Sequence, residues 1–385
     1  MSFLPFLVAG FVLLFFFALN YVCYRALIRL HPDAKTLIRG FFIAGNLFWA
    51  ALPLLFMLGG SFLMILLRSF LGPPWFSWLI FLILYSSFLL LVSLTWILAG
   101  RKRPFAEFVR GASAIFLTLL AVTVIAGYYS ALVPLRTPVH RVSLPALPSE
   151  LEGVRIALLS DLHVGLFTRT ARLAKISQAV NGLDPDLVLV AGDFVDDASY
   201  FVPKFLEGMS HVDESTPIFV VLGNHEIYGD PELVVGKMRA QSRVSLLVNE
   251  SAMFRKGDAA IAVVGVSDPA AEGRGAPEAL RPDLKRALKG LPSGAFPIVL
   301  AHQPKMFAEA AAAGIPLTVT GHSHGGQFGI RALGWSLAGV FIPYDMGLYE
   351  EARSKLFVTT GAGYWVVPFR LGMSPEVVLI ELTRE

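Results

Sequence analysis

The sequence predicts two regions, an N-terminal set of four transmembrane helices and a C-terminal α/β domain, and three observations carry that expectation. Of the 385 residues 55% are hydrophobic and only 16% charged, with a mean hydropathy of +0.62; this is too apolar for an ordinary soluble chain and far too apolar for a disordered one. Four long apolar runs fall ahead of Arg136. Beyond it, short β-rich runs alternate with segments of good helix formers, the pattern of an α/β domain. The length, about twice that of a typical domain, also asks for at least two folding units.

The apolar runs, in order, are Phe3 to Tyr24, Gly40 to Leu67, Trp75 to Ala99 and Ala112 to Leu132. Each is long enough to cross a hydrocarbon core as a helix, which takes about 20 residues. They are separated by His31-Pro32-Asp33, by Arg68 with Pro73-Pro74, and by Arg101 to Arg103 with Pro104. No Lys or Arg precedes Phe3, and the first run exceeds the apolar core of a signal peptide, so it is expected to stay as an anchor. The first connection carries Arg25, Arg29, Lys35 and Arg39, the third Arg101, Lys102, Arg103 and Arg110, and the second only Arg68. The positive-inside rule then places the first and third connections in the cytoplasm, and both termini with everything after Leu132 outside it. The expectation is a multi-pass protein of the cell membrane with an extracytoplasmic domain.

Charge follows the same division. Before Arg136 nine bases stand against the acids Asp33 and Glu107, so the formal net charge of +3 divides into +7 there and −4 in the rest. The polar half is mildly acidic, and no phosphate-backbone footprint for a nucleic acid is expected. The single cysteine, Cys23, excludes an intramolecular disulfide framework and a Cys-based zinc site.

Pro138, Pro145 and Pro148 mark residues 136–150 as an extended linker between a membrane region, 1–135, and a domain, 151–385. The strands expected in that domain are Val154 to Ser160, Leu187 to Ala191, Ile218 to Leu222, Ile261 to Val266, Ile298 to Ala301, Leu317 to Thr320, Leu356 to Thr359 and Val377 to Leu382. Helices are expected over Arg169 to Val180, Pro231 to Gln241, Pro282 to Leu288 and Lys305 to Ala313.

Five of the eight histidines fall at the ends of these strands beside glycine or another candidate ligand. The groups are Asp161-Leu162-His163, Gly192-Asp193 with Asp196, Gly223-Asn224-His225-Glu226, His302, and Gly321-His322-Ser323-His324-Gly325. Ligands of open α/β sheets collect at the carboxyl ends of strands, so the groups can converge on one cleft. Carboxylate, imidazole and amide oxygen without thiolate suit divalent ions of intermediate hardness. A carboxylate between two ligand clusters can bridge two cations, and such a pair can hold and activate a water for in-line attack on phosphorus. One ion needs only three or four protein groups; the excess here points to two.

These motifs, DxH, GDxxD, GNH[DE], H and GHxH in that order, resemble the calcineurin-like metallophosphoesterase family, in its membrane-associated branch with transmembrane helices ahead of the catalytic domain. The likeness covers about Leu147 to Leu382 and extends past the last histidine to Gly325-Gly326-Gln327, Gly347-Leu348-Tyr349, Gly361-Ala362-Gly363 and Pro368 to Pro375. It implies a four-layer sandwich of two mixed sheets flanked by helices. It also implies a first metal site of Asp161, His163 and His324, a bridging Asp193, and a second site of Asn224, His302 and His322. His225 matches the phosphate-contacting general acid, and Asp196 the acid that orients it. The implied cofactors are two divalent ions, manganese first, with iron and zinc as the other candidates.

The expected activity is therefore membrane-anchored, dinuclear-metal hydrolysis of a phosphodiester or phosphomonoester, soluble or lipid-linked, by a metal-bridging hydroxide. The alternatives are a UDP-diacylglucosamine-type pyrophosphatase of a lipid pathway, which needs a cytoplasmic site, and a membrane sensor or scaffold that keeps only the fold. The oligomeric state is not legible. Cys23 reads as a small lipid- or helix-facing residue, and His31, His140 and His211 lack ligand-spaced neighbours. The stretch Phe328 to Tyr349, with Trp335, Leu337, Val340, Phe341, Ile342, Tyr344 and Leu348, reads as a loop on its own domain or as an apolar lip at the cleft.

Overall fold

The computed structural model describes residues 4–57, 62–100, 104–273 and 275–384, and the chain divides into two compact units, Met1–Ala126 and Gly127–Glu385. The first is built on α1 (Leu4–Leu30), α2 (Lys35–Met57), α3 (Phe62–Leu98) and α4 (Phe105–Leu132), the last turns of α4 belonging to the second unit. Among the described residues, Ser69–Leu98 and Ala106–Leu132 are long and apolar enough to cross a membrane. The four expected spans are thus met in two stretches.

The second expected connection is corrected. Arg68 and Pro73-Pro74 lie inside α3, which runs unbroken through both prolines. A proline costs a helix one backbone donor and a clash, but helices of membrane regions tolerate this where the freed carbonyls are satisfied again nearby. The basic cluster Arg101 to Arg103 lies outside the described residues. Within this unit Trp78, Phe81, Tyr85 and Phe88 stack in succession along α3. Cys23 is buried with its Sγ 3.4 Å from Ser86 Oγ, so it faces a neighbouring helix.

The second unit follows the order β1 (Val139–Ser143), β2 (Arg155–Leu159), α5 (Thr170–Gly182), β3 (Leu187–Val190), α6 (Val202–Met209), β4 (Ile218–Val220), α7 (Asn224–Tyr228), α8 (Pro231–Arg239), β5 (Ser245–Leu246), β6 (Glu250–Lys256) and β7 (Ala259–Gly265). It continues with α9 (Ala270–Gly273), α10 (Leu284–Leu288), β8 (Phe296–Leu300), α11 (Phe307–Ala312), β9 (Leu317–Thr320), β10 (Gly329–Ile330), β11 (Trp335–Ser336), β12 (Gly347–Glu351), β13 (Ser354–Val358) and β14 (Val378–Thr383). One six-stranded sheet has the order β1-β14-β2-β3-β4-β5 and the other β12-β13-β9-β8-β7-β6. Both are mixed: β2, β3, β4 and β5 run parallel with β14 antiparallel to β2, and β13, β9, β8 and β7 run parallel between antiparallel β12 and β6.

Residues 136–150, expected as a linker, are extended and also supply an edge strand. β1 pairs in parallel with β14, and Pro138 and Pro145 stand just outside it. An edge strand tolerates flanking prolines because one side of its backbone needs no ladder partner.

Side-chain alternation explains the packing. Ile156 and Leu158 of β2, Leu187 and Leu189 of β3, Ile261 and Val263 of β7, and Ile298 and Leu300 of β8 all enter one buried cluster, so the two sheets share an apolar core. The other face of the second sheet, Ala262, Val264 and Val299, packs against Leu284 and Ala287 of α10 and Ala310 of α11. Strands buried on both faces read as continuous apolar runs, as Leu187-Val188-Leu189-Val190 does. Each large aliphatic side chain buried this way contributes about 1.5–3 kcal/mol.

Candidate metal centre

Five parallel strands end at the same edge of this double sheet. Asp161 and His163 follow β2, Asp193 and Asp196 follow β3, and Asn224 and His225 open α7 after β4; His302 follows β8, and His322 and His324 follow β9. The loops are tied backbone to backbone: Asp161 N–H donates to Gly192 O, His163 N–H to Asp193 O, and Gly321 N–H to His302 O.

All nine sequence-expected site residues come together. His163 Nε2 lies 3.1 Å from His324 Nε2, and His324 Nε2 lies 3.3 Å from Asp161 Oδ1. Asn224 Oδ1 lies 3.0 Å from His302 Nε2 and 2.9 Å from His322 Nδ1. Asp193 Oδ2 stands between the two clusters, 3.1 Å from His302 Nε2 and 3.8 Å from His163 Nε2. His225 lies beside them, its ring centroid 4.5 Å from that of His163 and its backbone N–H on Asp193 Oδ1.

The backbone carries part of the arrangement. Asp161, His163, Asp193, Asp197, His322 and His324 all have φ between 43° and 73°, in the left-handed region that non-glycine residues rarely adopt. Such strain persists where surrounding contacts over-determine it, and it gathers at functional sites. Gly223 allows a close approach, since a Cβ there would meet Asp193 Oδ1 and the Asp193 backbone nitrogen.

The donor set fits divalent cations. Burial, with His225 nearby for His163 and His163 nearby for His324, holds both imidazoles well below their ordinary range, and burial with His302 nearby pushes His322 down to about 3. Neutral imidazole is the ligating form, and nitrogens facing each other across about 3 Å share a point where one cation satisfies both. His302 Nδ1–H donates to Ala191 O at 2.7 Å, leaving Nε2 turned to Asn224 and Asp193. Burial would push His302 down, yet Asp193, Asp161 and Asp268 outweigh it and hold it well above its usual value. That excess of carboxylate charge is what a cation would neutralise.

Two residues of the site were not legible as such. Glu226, fully buried, accepts the backbone N–H groups of Asp193 at 3.0 Å and Gly223 at 2.7 Å on Oε2, and that of Val195 at 2.9 Å on Oε1. It clips the β3 and β4 loops together; its place in Gly-Asn-His-Glu was the available signal. Asp197 is the second. Its Oδ1 lies 2.8 Å from His225 Nδ1, ion-pair distance though off the axis of a linear hydrogen bond, whereas Asp196 Oδ1 lies at 3.7 Å. Burial would lower His225, but Asp193, Asp197 and Asp196 together raise it to about 9.

Residues 154–326 match the family model described as calcineurin-like phosphoesterase. The chain is 26% identical over 388 residues to an uncharacterized metallophosphoesterase of Campylobacter jejuni, covering 98% of each. It is 28% identical over 359 residues to a transmembrane protein with metallophosphoesterase domain of Danio rerio, across 87% of this chain and 80% of that one. It is also 28% identical over 235 residues to the phosphodiesterase YaeI of Escherichia coli, across 59% of this chain and 82% of that one.

Proposed function

We propose, from the premise that this chain belongs to the calcineurin-like metallophosphoesterase family, that it is a membrane-anchored hydrolase of phosphate esters working with two divalent cations, manganese first among the candidates. Residues 151–385 are the catalytic domain, a four-layer sandwich of the two sheets and their outer helices, and 1–135 the anchor. One observation carries the reading: Asp193 Oδ2 stands between two imidazole-rich clusters, 3.1 Å from one and 3.8 Å from the other. A second reading as a fold-retaining scaffold leaves that arrangement unused.

In this reading Asp161, His163 and His324 would hold one ion and Asn224, His302 and His322 the other, with Asp193 available to both. The ions supply an activated water and positive charge against the phosphate oxygens. His225, beside the clusters and protonated at neutral pH, donates its proton to the leaving oxygen. Asp197 and Asp196 hold that imidazole in place. The E. coli relative is named a phosphodiesterase, and the reading takes that class as the first substrate. Bases around the first and third helix connections orient the catalytic domain out of the cytoplasm.

The test is hydrolysis by the full-length chain in detergent, with manganese, of generic phosphodiesters, phosphomonoesters and nucleotide pyrophosphates. Metal-dependent turnover of an ester is expected. No turnover with manganese, iron or zinc would defeat the proposal.

A further inference from the structure

The loop that follows the ligand His324 is stiff inside and apolar outside. Asp345, buried, receives the hydroxyls of Ser336 at 2.5 Å and Tyr349 at 2.6 Å, and its backbone oxygen receives that of Ser323, between His322 and His324. Ile330 pairs with Trp335 across the β10–β11 hairpin, and Leu337 N–H donates to Phe328 O. Held by these bonds, the loop turns Phe341 (79% exposed), Leu333 (75%) and Val340 (61%) to the outside, with Ile330 and Trp335 also exposed. The exposed Trp365 joins them, since its N–H donates to Gln327 Oε1 and its carbonyl accepts from Gln327 Nε2. A group of exposed large apolar side chains on one loop marks an interaction site.

What covers it is indicated by what it is fastened to. Gly329 N–H donates to Leu371 O and Leu371 N–H to Gln327 O, so the root of the loop pairs with the segment around Leu371. That segment holds the last turns of α4: Arg370 N–H donates to Gly127 O, Tyr128 meets Phe369 edge-on at 5.5 Å, and Ser130 Oγ lies 3.1 Å from Ser374 Oγ. These are the final residues of Ala106–Leu132, a stretch long and apolar enough to cross a membrane. The apolar loop is therefore continuous, through one paired segment, with the residues where that apolar helix ends.

We infer that Phe341, Leu333, Val340 and Trp335 form a lip that enters the lipid bilayer surface, and that the phosphate ester reaching the metal centre is borne by an amphiphile in that surface. This rests on the hydrolase reading above and adds the substrate class to it. Aromatic and aliphatic side chains set at an interface bind by burying apolar area among the lipids.

The single cysteine makes the test direct. The full-length chain with Cys23→Ala and Phe341→Cys, spin-labelled and reconstituted in phosphatidylcholine–phosphatidylglycerol vesicles, should show a label open to oxygen and shielded from a water-soluble nickel complex. A label at Ser293→Cys, just before β8 and hence at the opposite end of that strand from His302, should show the reverse. A Phe341 label as open to nickel as the Ser293 label overturns the lip, as does shielding that vanishes when protein is diluted in lipid, which is the mark of a second copy. Leu333→Ser with Phe341→Ser should lower hydrolysis of a vesicle-borne phosphodiester amphiphile about tenfold and leave a soluble phosphodiester unaffected; equal loss on both rejects the substrate class. Shielding of the Phe341→Cys label, together with a wild-type chain that hydrolyses neither ester, upholds the lip and removes the hydrolase reading instead.

Discussion

His225 Nδ1 lies 2.8 Å from Asp197 Oδ1, closer than the 3.7 Å that separates it from Asp196. The nearer acid to the imidazole is thus the second of two adjacent aspartates. Asp197→Asn should lower kcat about tenfold or more with little change in bound metal, and Asp196→Asn should cost less. The sign of the pH effect follows: His225 is raised to about 9, so its proton is present below that value and lost above it. The rate should fall as pH rises through the value His225 keeps beside the cations, and Asp197→Asn, by removing a negative neighbour, should move that fall to lower pH. A pH–rate profile of both variants decides between the two aspartates.

Asp193→Asn should lose turnover and metal together, because one oxygen faces both clusters. His225→Ala should keep its metal content while the rate drops about 10²-fold or more. Elemental analysis of the purified variants beside the assay checks this pair; metal retained by Asp193→Asn would speak against a shared ligand.

Glu226→Ala should destabilise the domain by about 3 kcal/mol or more, since three buried N–H groups lose their acceptor at about 1–3 kcal/mol each. Glu226→Gln is expected to restore only part of this, because an amide NH2 placed where an oxygen now sits faces a donor. Urea denaturation of the full-length chain and its variants in one detergent measures both.

Gly223→Ala should weaken metal binding without replacing a ligand, since the added methyl meets the Asp193 side chain and backbone. Chelator competition reads this as a lower affinity. An unchanged affinity would mean that the β4 loop yields more readily than its packing implies.

Much of the site was legible because each ligand group directly follows an apolar run, and parallel strands bring their carboxyl ends to one edge. That rule gathers Asp161, His163, Asp193, Asn224, His302, His322 and His324 at one edge; their roles as ligands are what the family resemblance implies. What stayed hidden depends on direction. Asp196 and Asp197 are chemically alike, and the left-handed φ of 52° at Asp197 sets its side chain toward His225. Glu226 matters through three backbone donors that no side-chain pattern announces. In the fold, Pro73-Pro74 read as a stop where α3 continues, and the prolines around β1 read as a linker where an edge strand forms. In both places packing overrides a local preference.

The position of β14 between β1 and β2 has a consequence for biogenesis. Until Val378–Thr383 has left the ribosome, the strand that leads to Asp161 has an open flank and β1 has nothing to pair with. The nascent chain must therefore carry its incomplete sheet through synthesis of some 220 further residues after β2, with an unpaired edge exposed to chaperones and neighbours throughout.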